Sequence, residues 1–485
     1  MTSLGQLTIF GLSAWNWLSW LWLVYAVVLA VWIVLQKRSP VSTLAWIMVL
    51  ILLPLLGLAV YAYFGPQRIQ RARLKRWHSK AALMSDRELD ALRQDRPDPP
   101  IWAVQHARLI EQSCGLPMSS CWDVELLASG GATLDALLAA IEAAREHVHL
   151  EYYIFDIDTT GHAILKALTA KAAQGVRVRL LVDAVGSPRM AGRQGRRELA
   201  AFSAAGGEFA VFHPARFDRF RPLVNLRTHR KIVVCDGKVG FLGGINITDD
   251  ENERVRPDSA YRDTHLRLAG GAVRWLQYLF LQDWSYANGG EPAAGAMLPE
   301  QVAAGTQPVQ MVASGPDNDG EAIHRAMIDA IGLARERIWL ATPYFVPTEP
   351  ALAALTNAAL RGVQVKLMVP ERSDSRVVSA AARSYFAEMQ KAGVLVFEYQ
   401  GRMFHAKTLL VDQQYGMVGS ANFDSRSFRL NFEVAAVVLG RSFNEQLARM
   451  FDRDLSACRL VPARRRLRFD QKLFEAGARL FSPLL

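Results

Sequence analysis

The sequence predicts an α/β fold made of two halves related by a pseudo-twofold axis, with a hairpin of two apolar helices in front. Three observations carry that prediction. Beyond about residue 100 the chain repeats itself. Within each copy helical and strand patterns alternate, which calls for a sheet with helices laid on it. Ahead of the repeat, two long runs carry no charged residue.

The uncharged runs come first. AWNWLSWLWLVYAVVLAVWIVLQ, from Ala14 to Gln36, is long enough to span a bilayer at ~1.5 Å per residue. VSTLAWIMVLILLPLLGLAVYAYF, from Val41 to Phe64, is a second such run, and only KRSP separates the two. Pro54 falls inside the second run, where a kink is tolerable once neighbouring groups satisfy the freed carbonyl. Trp15, Trp17, Trp20 and Trp22 gather at one end, and Tyr61 and Tyr63 at another, as in interfacial aromatic belts. The first run lacks a basic leader and a small-residue cleavage site, which argues against a signal peptide. Arg68, Arg71, Arg73, Lys75, Arg76 and Lys80 then outweigh Lys37 and Arg38 of the short link. Positive-inside logic puts this cluster, the N-terminus and everything downstream in the cytoplasm, with the cluster on anionic headgroups. The expected division is two transmembrane helices (1–66, spans near 14–36 and 41–64), a basic linker (67–110), a first half (111–300), a second half (301–462) and a basic amphipathic tail (463–485).

The repeat sets the order of elements in each half. IEAAREHVHLEYYIF, from Ile141, lines up with IGLARERIWLATPYF, from Ile331, each a helix running into an apolar strand. GVRVRLLVD (Gly175 to Asp183) matches GVQVKLMVP (Gly362 to Pro370). Each opens with a glycine suited to cap a helix and continues as a buried strand. THRKIVVCDGKVGFLGGIN (228–246) then matches FHAKTLLVDQQYGMVGSAN (404–422). Equivalent motifs of two such halves are expected to meet at the shared interface.

Both copies of the last segment read H-x-K-x-x-x-x-D: His229, Lys231, Asp236 and His405, Lys407, Asp412. On a strand, His and Lys two apart project to one side. Small residues and an asparagine follow at fixed offsets: Gly243, Gly244 and Asn246; Gly419, Ser420 and Asn422. Two histidines and two lysines brought together suit phosphoryl chemistry. Lysines neutralise phosphate oxygens, and Asn246, Ser420 and Asn422 add hydrogen bonds to them. One histidine, neutral, attacks phosphorus, and the other, protonated, serves the leaving alkoxide. The roles then reverse for an incoming hydroxyl. No metal or cofactor is called for, because lysines and donors already oppose the developing charge. Asp236 and Asp412 belong to the motif, but as strand-ending residues they are expected to shape turns rather than carry protons.

The bulk numbers narrow the partners. The chain has 485 residues, enough for two or three domains. Its net charge of +10 favours polyanions, nucleic acid or an anionic lipid surface. Cys114, Cys121, Cys235 and Cys458 fit no zinc spacing and read as reduced core thiols.

The duplicated motif resembles that of the phospholipase D superfamily. The closer resemblance is to the bacterial cardiolipin synthases, and it covers nearly the whole chain. It rests on RSPVSTLAWIMVLILLPLLGLAVYAYFG, LEYYIF, LLVDAVGS, NLRTHRKIVVCDGKVGFLGGINI, YRDTHLRLAG, ATPYFVPTEP, FHAKTLLVD and GSANFDSRSFRLNFE. Two departures stand out: Tyr261, where that family usually has Trp, and the irregular segment from Glu253 to Ser259. The resemblance implies a phospholipase D-type sandwich. It implies transfer of a phosphatidyl group between two phosphatidylglycerol molecules at the bacterial inner membrane, giving cardiolipin and glycerol. It implies a phosphatidyl-histidine intermediate with His229 as nucleophile and His405 as acid/base, an order that the symmetry of the motifs leaves open. It also implies that Asp263 and Glu433 orient the histidines.

Arg426, Ser427 and Asn431 are expected either in a solvated loop or against the headgroup. The tail, with Arg464 to Arg468 ahead of helically spaced apolar residues, is expected on the membrane interface or packed on the catalytic body. Three rivals share the motif residues: a lipid hydrolase or transphosphatidylase with another acceptor, a nuclease, and an inactive scaffold. The apolar hairpin and the lack of a recognisable nucleic-acid-binding module disfavour the nuclease, and the intact motifs disfavour the scaffold.

Overall fold

The computed structural model describes residues 8–9, 12–35, 40–53, 57, 92–93, 97–213, 226–288, 305–316 and 321–482. The chain forms two compact units, residues 1–70 and 71–485. In the first, helices α1 (Ala14–Val34) and α2 (Pro40–Leu52) pack through Ile33 and Leu50, with Leu29, Trp32, Trp46 and Ile47 around them. Among the described residues no helix is long and apolar enough to cross a membrane. The transmembrane hairpin expected over 14–36 and 41–64 is therefore not seen as such. Of the second expected span, residues 54–56 and 58–64 lie outside the described residues. The basic cluster from Arg68 to Lys80 lies outside the described residues.

The second unit begins with α3 (Val104–Cys114) and then carries both halves of the repeat. The first half runs β1 (Met118–Leu127), α4 (Gly130–Ala143), β2 (His147–Tyr152), α5 (Thr159–Ala173), β3 (Arg177–Asp183), α6 (Arg193–Ala204), β4 (Glu208–Phe212), β5 (Ile232–Cys235), β6 (Val239–Gly243), β7 (His265–Gly270) and α7 (Ala272–Asn288). The second repeats it as β8 (Gln307–Ser314), α8 (Ala322–Leu333), β9 (Arg337–Ala341), α9 (Glu349–Leu360), β10 (Gln364–Pro370), α10 (Arg376–Lys391), β11 (Leu395–Tyr399), β12 (Thr408–Val411), β13 (Tyr415–Gly419), β14 (Glu433–Leu439) and α11 (Arg441–Leu455). β15 (Cys458–Leu460) and α12 (Phe469–Leu480) close the chain.

Local chemistry marks the boundaries in both copies. Asp158 caps α5 by accepting from the Gly161 N–H, and Thr348 caps α9 by accepting from the Ala351 N–H. Gly175 and Gly362 leave α5 and α9 at φ +83° and +91°, a left-handed conformation that costs a glycine little. The strands that follow are parallel pairs, β2 with β3 and β9 with β10.

Fifteen strands form one sheet in the order β15-β11-β10-β9-β12-β13-β14-β8-β1-β7-β6-β5-β2-β3-β4. The order reads the same outward in both directions from the β8–β1 seam, apart from β15. At that seam Gln307 opposes Cys121 and Gln310 opposes Met118, antiparallel. The halves are thus joined edge to edge, and the sheet bends enough that β6 also lies against β13 and β14. One core holds residues of both halves, among them Val234, Leu242 and Leu266 with Val418, Val434 and Ala436, under α7 and α11. Separate cores lie under α4 to α6 and under α3 and α8 to α10. β5 and β12, which carry the motifs, are buried along their whole length.

Asp236 and Asp412 end β5 and β12 at φ +54° and +51°. The Asp236 carboxylate accepts from the N–H groups of Arg145, Glu146 and His147, between α4 and β2. The Asp412 carboxylate does the same for Arg335, Glu336 and Arg337, between α8 and β9. Each thus ties a motif strand to the start of the strand beside it. Asp236→Ala and Asp412→Ala are each expected to lower the unfolding free energy by ~1–3 kcal/mol, because three backbone donors lose their acceptor. Denaturant unfolding of the two variants beside the parent checks this.

Candidate active site

His229 and His405 line one cavity of about 500 Å³, which opens where the two halves meet. Each stands just before its motif strand, and its backbone is bonded across to the other half. The His229 N–H donates to the Phe432 carbonyl, and the His405 N–H to the Arg262 carbonyl. The next residue in each acceptor segment is the orienting carboxylate, so the exchange is reciprocal. His229 Nδ1 lies 3.0 Å from Glu433 Oε2, and His405 Nδ1 lies 2.7 Å from Asp263 Oδ2. Each histidine is held by a carboxylate of the opposite half. With Nδ1 engaged, Nε2 is the nitrogen left for the cavity.

Burial and its partners set the charges. Burial holds His229 below the ordinary imidazole range, with Glu433 opposing and Lys231 assisting. Burial, with Lys407, pushes His405 down to about 4. Burial tends to raise both carboxyls, but their partners win. Lys407 and His405 bring Asp263 down to about 2, and the His229 pair holds Glu433 below its usual range.

The lysines sit behind the histidines. Lys231 Nζ donates to the His229 carbonyl at 2.7 Å and lies over the Tyr153 ring. Burial lowers its pKa to about 8. Lys407 Nζ donates to the His405 carbonyl and approaches Asp263 Oδ2 at 3.3 Å. It also lies 2.9 Å from His405 Nδ1, which already faces Asp263, so its charge is answered by the carboxylate.

The remaining expected residues divide. Asn246 and Asn422 line the cavity. Asn246 is held there: its amide nitrogen donates to Glu251 Oε1 at 2.6 Å and its backbone N–H to Glu251 Oε2 at 2.9 Å. Ser420 does not line the cavity as a phosphate ligand. It is wholly buried, and its hydroxyl donates to Glu433 Oε2, because β13 turns it toward the carboxylate behind His229. Its counterpart Gly244 has no side chain, and a Cβ there would come within 2.3 Å of Asp263 Oδ1. Asp236 and Asp412, grouped with the catalytic residues of the motif, lie at the opposite ends of their strands and serve as the caps described above. Arg426 and Asn431 line the cavity, Asn431 Nδ2 also donating to Glu433 Oε1, while Ser427 accepts from the Asn422 N–H.

Sequence reasoning missed Tyr153, Arg227, Glu251, Tyr344, Asp374 and Asp424, all of which line the cavity. Several follow the C-terminal ends of parallel strands, where open α/β sheets form their crevices, and that rule was the available signal. Glu251 is raised to about 7 by burial and by Asp263 nearby. Among the described residues, Glu251, Asp263 and His405 form the one group of donor atoms close enough to share a metal ion. Their oxygens are already spent on Asn246, Thr264, His405 and Lys407, and the lysine beside them opposes a cation.

Comparison with known proteins follows the same lines. Residues 137–258 and 327–455 match the family described as cardiolipin synthase, PLD-like domain, and residues 20–66 match the phospholipase D-nuclease N-terminal family. The chain is 38% identical to a cardiolipin synthase of Geobacillus kaustophilus over 94% of its length and 91% of that protein. It is 34% identical to cardiolipin synthase 1 of Bacillus anthracis over 98% and 95%. A crystal structure of phosphatidylserine synthase from Haemophilus influenzae Rd KW20 superposes with a TM-score of 0.60 at 14% identity, covering 79% of this chain and all of that one, a likeness of fold. Two motif copies inside two matched segments, in a chain so similar along its length to these relatives, leave one assignment: the protein belongs to the cardiolipin synthase family of phospholipase D-like proteins.

Proposed function

We propose that the chain transfers a phosphatidyl group from one phosphatidylglycerol to a second, releasing glycerol and forming cardiolipin. The observation that carries this reading is the pair of histidines in one cavity, each tied at Nδ1 to a buried carboxylate of the opposite half. Such a pair supports double displacement at phosphorus. His229 Nε2 attacks, the P–O bond to glycerol breaks, and His405 gives its proton to the departing oxygen. The hydroxyl of a second phosphatidylglycerol then returns a proton to His405 as its oxygen displaces His229. One phosphodiester replaces another, so no activated nucleotide is needed. Both imidazoles are largely neutral in the empty site. A bound phosphodiester anion favours the imidazolium and raises His405 for its acid step. The buried lysines, with Arg227 and Arg426 on the cavity wall, oppose charge on the transferring phosphoryl group.

The reading also places the enzyme on the cytoplasmic face of a bacterial inner membrane. It rests on the uncharged α1 and on the basic cluster after α2. α12 supports it from the other end of the chain. It packs on α10 through Ala478, while Phe469 (80% exposed) and Leu480 (81%) face outward, and Arg464, Arg466 and Lys472 of the same tail are exposed too. Packed and amphipathic at once, it suits an anionic lipid surface.

Three outcomes are expected. Purified protein given phosphatidylglycerol alone should release cardiolipin and glycerol in equal amounts, and His229→Ala and His405→Ala should each abolish this. Phosphatidic acid as the main product would instead favour hydrolysis. Glu433→Gln and Asp263→Asn should each lower kcat by ~10²–10⁴-fold, since either leaves a histidine without its orienting charge. The pH–rate profile should be bell-shaped. His229 must be neutral and titrates below the ordinary imidazole value, so the acid limb lies below about pH 6.5. The alkaline limb marks loss of the His405 proton, which the bound phosphodiester retains to higher pH than the empty site does. A flat profile from about pH 5 to 9 would count against the scheme.

A further inference from the structure

The cavity has two chemically different ends. Among the described residues, the arginines that line it are Arg227 and Arg426. Both bear electrostatically on Tyr153, whose ring lies 5.0 Å from that of His229. The other end is aromatic and acidic. Tyr261 and Tyr344 stand 5.9 and 6.3 Å from the His405 ring, and Tyr344 Oη donates to Asp374 Oδ1 at 2.7 Å.

These ends suit different parts of a substrate. A phosphodiester anion is drawn to the arginines and repelled by carboxylates. Phenols and a carboxylate instead pair well with neutral hydroxyl groups, which both donate and accept. In a double displacement through His229, the leaving oxygen and the entering oxygen occupy the same position, opposite the nucleophile and beside His405. In the transfer proposed above, on which this inference rests, both oxygens belong to a glycerol headgroup that carries a further free hydroxyl.

We propose that Tyr344, Asp374 and Tyr261 form a polyol subsite beside His405. It holds the glycerol headgroup first as leaving group and then as acceptor. The free hydroxyl, not the reacting one, is what the subsite reads. A monohydric alcohol of the same length fills the space without making those bonds.

The test compares two acceptors in one assay. Full-length protein in detergent micelles with phosphatidylglycerol receives equal concentrations of labelled glycerol and 1-propanol. Labelled phosphatidylglycerol and phosphatidylpropanol are then counted. The parent should prefer glycerol, and Tyr344→Phe and Asp374→Asn should each reduce that preference about tenfold. The ratio is read within the same folded molecules, so partial misfolding does not change it. A preference unchanged in both variants, in an enzyme that does transfer, overturns the subsite alone. A parent that transfers to neither alcohol overturns the transfer reading and the subsite with it.

Discussion

Each motif imidazole leans on a carboxylate from the other half of the molecule, and the body that carries the repeat is organised around that exchange. Glu433 and Asp263 are fully buried, where an ionised carboxyl without a partner is costly. Both stay ionised because the opposite half brings an imidazole and, for Asp263, a lysine. Removing either imidazole would leave its carboxylate buried and uncompensated, and breaking one such pair typically costs about 3–5 kcal/mol. The backbone reinforces the exchange through bridges from Thr228 to Phe432 and from Arg262 to Phe404. The β8–β1 seam makes the arrangement possible by fixing the halves edge to edge.

Within that symmetry the two sites differ by small substitutions. Where β13 leads into a serine whose hydroxyl supports Glu433, β6 leads into a glycine that leaves room for Asp263. Asp263 finds its second partner in Lys407 instead. Lys231, by contrast, turns to the carbonyl of its own histidine and to the face of Tyr153. The histidines therefore sit in unequal fields although their motifs match. Unequal fields are what a reaction with one nucleophile and one proton carrier needs.

Burial also bears on what the site does with its intermediate. Both histidines are almost wholly covered, and the cavity they line is walled by side chains already bonded to one another. The phosphorylated histidine proposed above would meet few waters there. A lipid hydroxyl delivered from a surface where it is concentrated then has the advantage over hydrolysis.

The sequence by itself determined the duplicated α/β architecture, the two motifs, and the nature of the chemistry. These depend on local period and on residue type, and both are written along the chain. The glycines after α5 and α9, the buried motif strands and the histidine–lysine spacing were all legible for that reason. Which carboxylate serves which histidine was not. His229 and Glu433 are 204 residues apart, and only the pairing of strands across the whole sheet brings them together. The same holds for Ser420. Its offset from the histidine suggested a phosphate ligand, and the chain after β13 instead turns it behind Glu433. Asp236 and Asp412, expected to end their strands and shape turns, do so at the far ends of β5 and β12. Tyr344 and Asp374 come from separate loops and share a wall beside His405 only because β9 and β10 run parallel. Periodicity states which face of an element is buried; it does not state what the opposite half of the molecule places against it.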